Sequence, residues 1–208
     1  MGGGLLVRPA DARVLYVLAH GAGAGMRHPF LERATAAFGS YGIATYRYEF
    51  PYMRKGQHRP DPPAVAEAAV REAVLAAAQA APGLPVVAGG KSFGGRMTSQ
   101  AQSREPLPGV RGLVFLGFPL HPPGRPGTVR AEHLSAVRVP MLFLQGTRDE
   151  FAQLDLLEPV VRRLGGRAAL HLVPEGDHSF KVPKRTGKTE ADVMNELAGA
   201  IAQWATGL

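Results

Sequence analysis

Val86-Val87-Ala88-Gly89-Gly90-Lys91-Ser92-Phe93-Gly94-Gly95-Arg96-Met97 joins an apolar run to a glycine-flanked serine and then to a segment with no proline until Pro106. A run of this length behind Pro85 reads as a strand, and the segment after Ser92 has room for a helix of about three turns. Gly90-Lys91-Ser92-Phe93-Gly94 fits G-x-S-x-G, a sharp strand-to-helix turn that lifts one hydroxyl clear of the sheet edge. Glycine is required two residues either side because a Cβ there meets neighbouring backbone. The same turn aims helix N-terminal amides at the point where an oxyanion would form. Serine is also a favoured N-cap, so a purely structural reading of Ser92 stands beside this one.

Outward from that turn the chain alternates. Arg13 to Ala19 is a nearly continuous apolar run, as expected of a strand buried on both faces. His20-Gly21-Ala22-Gly23-Ala24-Gly25 follows, and Phe30, Ala34 and Phe38 then recur at helical spacing. Gly39 and Gly42 end that helix before a strand over Ile43 to Phe50. Pro51 to Pro63 reads as a loop, and Asp61 as the N-cap of an Ala-rich helix over Ala64 to Ala81. Beyond the serine turn come a strand over Gly112 to Gly117, a proline-rich connection from Phe118 to Val139 with a short helical prospect at Glu132 to Ala136, and a strand over Met141 to Leu144. A helix over Phe151 to Leu164, bent at Pro159, a strand over Ala168 to Val173 and a closing helix capped by Thr189 complete the chain; Val193, Leu197, Ile201 and Trp204 share a face of that last helix. This order predicts one α/β domain over residues 1–208, with a mostly parallel sheet of six strands, seven if Leu5 to Arg8 adds an edge, and helices on both faces.

Composition narrows the function. The chain has 208 residues and no cysteine, which excludes disulfides, thiolate metal sites and a cysteine nucleophile. Its seven histidines form no ligand pair of metalloprotease type, so no metal is expected. The +7 formal charge is spread along the chain, with one local cluster at Lys181, Lys184, Arg185 and Lys188, and reads as solvated surface rather than a nucleic-acid site. Gly21-Ala22-Gly23-Ala24-Gly25 fails as a dinucleotide fingerprint, since Met26 or His28 stands where the third glycine belongs; no cofactor is expected. Met1-Gly2-Gly3-Gly4-Leu5-Leu6 lacks a charged leader region and a serine or threonine at position 6, and no apolar run is long enough to span a bilayer. The expectation is a cytoplasmic protein acting on a small molecule, its oligomeric state left open.

In a parallel sheet functional groups gather beyond the carboxyl ends of strands. Gln145-Gly146-Thr147-Arg148-Asp149-Glu150 follows one strand and Glu175-Gly176-Asp177-His178-Ser179-Phe180 the last. Ser92, Asp149 and His178 then run in the order nucleophile, acid, base. Serine needs the base because its hydroxyl is a weak nucleophile at neutral pH, and the base needs a carboxylate to fix its tautomer. Asp149 is preferred over Glu150 as that carboxylate, and His178 could instead be an ordinary loop histidine. His121, Lys91, Arg148 and Lys181 lie near these positions; His121 is a candidate pocket residue, and the three cations read as surface charge that could also favour an anionic substrate. His171, mid-strand, reads as structural.

Taken together these residues resemble an α/β-hydrolase over essentially the whole chain. Phe50-Pro51-Tyr52-Met53, Gly89 through Met97 and Phe118-Pro119-Leu120-His121-Pro122 are similar to the small bacterial relatives of a family named for a subunit of the NSL chromatin complex and a testis-expressed protein. The resemblance implies that His20-Gly21-Ala22 is the oxyanion loop, with the Ala22 and Phe93 amides as the two donors. The resemblance says little about substrate; the residues themselves read as a serine hydrolase cleaving a small ester or thioester through an acyl-enzyme. A non-catalytic interaction protein on the same fold, or a peptidase or acyltransferase using the same residues, is the alternative. A large lid often follows the strand ending near Gly117; the short connection here predicts none.

Overall fold

The computed structural model describes residues 3–208; Met1 and Gly2, and with them the start of the N-terminal reading above, lie outside the described residues. Seven strands form one sheet: β1 (Leu5–Val7), β2 (Val14–Ala19), β3 (Ile43–Tyr48), β4 (Val86–Lys91), β5 (Val110–Leu116), β6 (Met141–Gly146) and β7 (Ala168–Val173). Their order is β1-β3-β2-β4-β5-β6-β7, with β1 antiparallel to β3 and every other pair parallel. The α/β-hydrolase fold expected from the sequence is the fold observed.

Strand alternation splits the core into two layers. Leu15, Val17 and Ala19 of β2 face one cluster, while Val14, Tyr16 and Leu18 face the other. The first layer is closed by α3 (Pro63–Ala80), α4 (Phe93–Arg104) and α5 (Leu154–Leu164), through residues such as Val70, Val74, Met97, Leu157 and Val160. The second is closed by α1 (Pro29–Gly39) and α6 (Glu190–Ala205), whose Phe30, Phe38, Val193, Leu197 and Ile201 meet over the sheet. With both faces covered, the central strands must be apolar on both sides, which is why β2, β3 and β6 are buried at every position.

Boundaries differ from the sequence reading in places, each for a local reason. β3 stops at Tyr48, and Pro51–Arg54, expected to be loop, forms a short helix, α2, with Pro51 in its first turn. Asp61 does not cap α3; Pro62 holds the N-cap position, and the Asp61 carboxylate accepts a hydrogen bond of 2.8 Å from the Tyr52 amide instead. β6 runs two residues past Leu144, to Gly146. α5 starts at Leu154 rather than Phe151, because Asp149 folds the preceding residues into a turn, its Oδ1 accepting from the Phe151 amide at 2.8 Å. The helical prospect near Glu132 is a 3₁₀ helix over Val129–Ala136, and no larger cap lies between β5 and β6. Thr189 caps α6 in a reciprocal capping box with Asp192.

Candidate active site

β4 ends in the turn that carries Ser92. Its backbone, at φ 49° and ψ −114°, lies where a non-glycine residue is strained. Glycines make the turn possible: a Cβ on Gly90 would lie 2.3 Å from the Ala19 carbonyl oxygen, and one on Gly94 would lie 2.5 Å from that of His20. Although Ser92 occupies the N-cap position of α4, its side chain makes no capping bond. Its Oγ lies 2.9 Å from His178 Nε2.

His178 sits beyond the end of β7, on a loop that two non-glycine residues bend through positive φ, Glu175 at 57° and Phe180 at 60°. Asp177 Oδ1 accepts from the Ser179 and Lys181 amides, closing the loop on itself. The Arg148 amide donates to the Gly176 carbonyl at 2.8 Å, and Thr147 Oγ1 accepts from the Glu175 amide at 2.8 Å, so the loops after β6 and β7 are tied together. That tie brings Asp149 Oδ2 to 2.7 Å from His178 Nδ1. A carboxylate only accepts, so Nδ1 carries the proton and Nε2 is free to accept from the Ser92 hydroxyl. Phe151 packs on the imidazole with ring centroids 4.2 Å apart. Burial pushes the His178 pKa below its usual 6.5, Lys91 adds to that, and Asp149 and Asp177 oppose it.

Glu150 is exposed in the turn before α5, and the hydrogen bonds of the His178 ring go to Asp149 and Ser92. Arg148 and Lys181 are exposed as well. Two other readings are corrected. His121 is buried, its ring packed between the Pro122 carbonyl (Nδ1 at 2.9 Å) and the Gln153 amide (3.4 Å from Nε2), so it fastens the connection after β5 to the Asp149 turn rather than lining a pocket. Lys91 is not a solvated surface charge: its ammonium donates to the His178 carbonyl at 2.6 Å and lies 5.8 Å from both the Phe30 and Phe180 ring centroids. Burial pulls its pKa down to about 8, with Asp149 and Asp177 pulling the other way.

The loop after β2 faces Ser92 from the opposite side. His20 is fully buried; its Nε2 accepts from the Phe50 amide at 3.1 Å, so Nδ1 is the protonated nitrogen and donates to the Gly21 carbonyl at 2.7 Å. Tyr52 Oη accepts from the Gly23 amide at 2.9 Å. Phe50 and Tyr52 pack against Phe93 with ring centroids 5.2 and 6.4 Å apart. The amides of Ala22 and Phe93 have no hydrogen-bond partner among the described residues.

Sequence reasoning missed the supports of these groups. Gln145 is buried at the end of β6; its Nε2 donates to Asp149 Oδ2 at 2.5 Å and its Oε1 accepts from the Phe118 amide at 2.9 Å. A polar residue at the end of an otherwise apolar strand was the available signal. His20 gave a similar one, a histidine directly after a strand buried on both faces. Among the described residues no three His, Cys, Asp or Glu side chains cluster as metal ligands, and no helix is long and apolar enough to cross a membrane.

A parallel sheet with an antiparallel edge, a serine on a strained strand-to-helix turn, and a carboxylate and an imidazole on the loops after later strands define the α/β-hydrolase class. The chain belongs to the alpha/beta hydrolase domain family, whose model matches residues 12–206. Its fold is shared with a dienelactone hydrolase from Anabaena variabilis at a TM-score of 0.74 and 19% identity, covering 98% of this chain and 90% of that one. An α/β serine hydrolase without lid from Xanthomonas campestris aligns at a TM-score of 0.72 and 19% identity, covering 96% and 87% of the two chains. Est1E from Butyrivibrio proteoclasticus, in a structure with ferulic acid bound, aligns at a TM-score of 0.69 and 14% identity, covering 95% and 94%.

Proposed function

We propose that this protein is a serine hydrolase that cleaves a small carboxylic ester or thioester in an open site, working as one domain over residues 1–208 without a cofactor. The observation that carries this reading is the continuous hydrogen-bond chain of Ser92, His178 and Asp149, 2.9 and 2.7 Å long, ending on a strained turn. Ser92 Oγ attacks the carbonyl carbon while His178 Nε2 takes its proton. Asp149 holds the imidazole in the required tautomer and stabilises the imidazolium. The oxyanion of the tetrahedral intermediate is received by the Ala22 and Phe93 amides, a donor of this kind contributing about 3 to 4 kcal/mol to the barrier reduction. Collapse breaks the bond to the leaving group, which leaves with the proton from His178. Water then attacks the acyl-enzyme as His178 takes its proton, and collapse breaks the bond from the acyl carbon to Ser92 Oγ, which regains its proton from His178 as the acid is released.

The similarity of Phe50-Pro51-Tyr52-Met53 and Gly89 through Met97 to the bacterial relatives of the NSL-complex and testis-expressed family belongs to the same reading. So does the absence of a lid in the Xanthomonas protein, which parallels the short connection here. The test is hydrolysis of 4-nitrophenyl acetate by three purified chains. Asp149→Asn is expected to lose about 10⁴-fold in kcat with its fold intact, and Glu150→Gln to match the wild type. Equal damage from both changes, or from neither, counts against the assignment.

A further inference from the structure

Arg96, one turn past Ser92, and Arg130, on the 3₁₀ helix packed against α4, have no counter-charge. Arg96 stands one turn into α4, its amide bonded to the Ser92 carbonyl at 3.1 Å, and its guanidinium lies 6.0 Å from the centroid of the Phe93 ring. Its Nε is fully withdrawn from solvent and has no hydrogen-bond partner. Arg130 belongs to the 3₁₀ helix that packs on α4. The two elements are pinned where His133 Nε2 meets Ser99 Oγ at 2.8 Å, and Arg96 and Arg130 lie three residues before those partners on their respective helices. Among the described residues neither guanidinium forms an ion pair, and no carboxylate offsets either charge. Arg130 instead depresses the pKa of Arg96 by repulsion, on top of burial, and the charges of Arg96 and Arg104 help burial hold His133 at about 4.

This is not how the chain treats a structural arginine. Arg47, also buried and with its Nε likewise unbonded, is nonetheless paired with a carboxylate, Glu32 at 2.7 Å, and donates to the Met26 carbonyl at 3.0 Å; it is the missing counter-charge that sets Arg96 and Arg130 apart. A half-buried cation without a partner is costly, and a second beside it more so, unless an anion completes the arrangement. Guanidinium groups suit oxyanions because their parallel N–H bonds match two oxygens at once.

We propose that Arg96 and Arg130 form an oxyanion subsite that binds a second, non-reacting carboxylate or phosphate group of the substrate. This deepens the hydrolase reading and rests on it for the word substrate. It also relocates any anionic preference away from Arg148 and Lys181, which stand in solvent, and from Lys91, which is turned toward His178.

The test compares 4-nitrophenyl hemisuccinate with its neutral counterpart 4-nitrophenyl butyrate, and measures succinate and inorganic phosphate binding by calorimetry. The wild type is expected to favour the hemisuccinate in kcat/KM by about tenfold or more at low salt. Arg130→Gln and Arg96→Gln should each lower that ratio mainly through KM, while Arg125→Gln, at an exposed position, leaves it in place. Calorimetry should show saturable binding of succinate or phosphate that the double variant loses, and which anion binds better identifies the group. A hemisuccinate preference of about one, together with no anion binding or binding that survives in a folded double variant, overturns the proposal. Turnover of the butyrate ester reports on the hydrolase reading separately: if it is absent, the calorimetry alone decides for or against the subsite.

Discussion

Lys91 has the role least visible in the sequence. It directly precedes the serine, where any long polar side chain would read as surface, yet the folded chain turns it back beneath Phe30 and Phe180 to the His178 carbonyl. The position of a serine turn is readable from its glycines, but the direction taken by its flexible neighbour depends on two loops distant in sequence. Lys91, Asp149 and Asp177 are the charged groups that set the His178 pKa, the first lowering it and the other two raising it. His178 accepts a proton only when neutral, so kcat/KM should hold from neutral pH down to a point below 6.5 and fall beyond it. Lys91→Met removes the cation and leaves burial alone to oppose the two aspartates, so the acidic limb of kcat/KM should move to higher pH. A limb that stays put, or moves down, would show that Lys91 does not tune the base. The same substitution has a signature in stability. A lysine whose pKa falls from 10.5 unfolded to about 8 folded binds fewer protons in the native state between those values, so stability rises with pH across that window. The melting temperature of the wild type relative to Lys91→Met should therefore increase from pH 7 to pH 10.

At the scale of elements, strands and helices were legible because their apolar periods are long and glycine or proline marks their ends. β2 is a continuous apolar run, β4 and β6 are apolar up to Lys91 and Gln145 near their ends, and the G-x-S-x-G turn announces itself by composition. What stayed hidden was held by tertiary contacts. α2 lies in a stretch whose prolines read as loop, and it persists because Tyr52 is buried against Phe93 and bonded by the Asp61 carboxylate and the Gly23 amide. His121, among prolines at a strand end, reads as a pocket residue, whereas its ring is consumed by one hydrogen bond to the neighbouring Pro122 and one to the distant Gln153 amide. The elbow's own requirement can be measured. A Cβ on Gly89, at φ 153°, would lie 1.9 Å from the Val114 carbonyl oxygen, a backbone atom that cannot move without breaking the β4–β5 ladder. Gly124, at φ 69°, has nothing within 4 Å. Gly124→Ala should cost about 1 to 2 kcal/mol, a few degrees of melting temperature, from its left-handed backbone alone. Gly89→Ala should lower it by more than about 10 °C or prevent folding. Similar losses at the two positions would mean that close packing does not define the turn.

For the molecule as a whole, alternating strands and helices implied a parallel sheet covered on both faces. They did not imply the order β1-β3-β2-β4-β5-β6-β7, since an apolar run says that a strand is buried and not which strands flank it. The positions of Ser92, Asp149 and His178 are readable from strand ends, the proposal of His20-Gly21-Ala22 as an oxyanion loop rests on resemblance, and the Gln145 and His20 contacts need the fold. Between β5 and β6 stands only the Val129–Ala136 3₁₀ helix, too small to enclose a long acyl chain. Short-chain 4-nitrophenyl esters should therefore be turned over faster than long-chain ones, with no jump in rate above the substrate's micelle concentration; a sharp jump would point to a closing element elsewhere. The most direct test of the central claim is covalent. The intact protein is treated with a fluorophosphonate, and the adduct is mapped by peptide mass spectrometry in the wild type and in Ser92→Ala. The expected result is a single adduct on Ser92 that the substitution abolishes. No adduct on a folded wild type, or one on another residue that persists in Ser92→Ala, would contradict the assignment of Ser92 as an activated nucleophile.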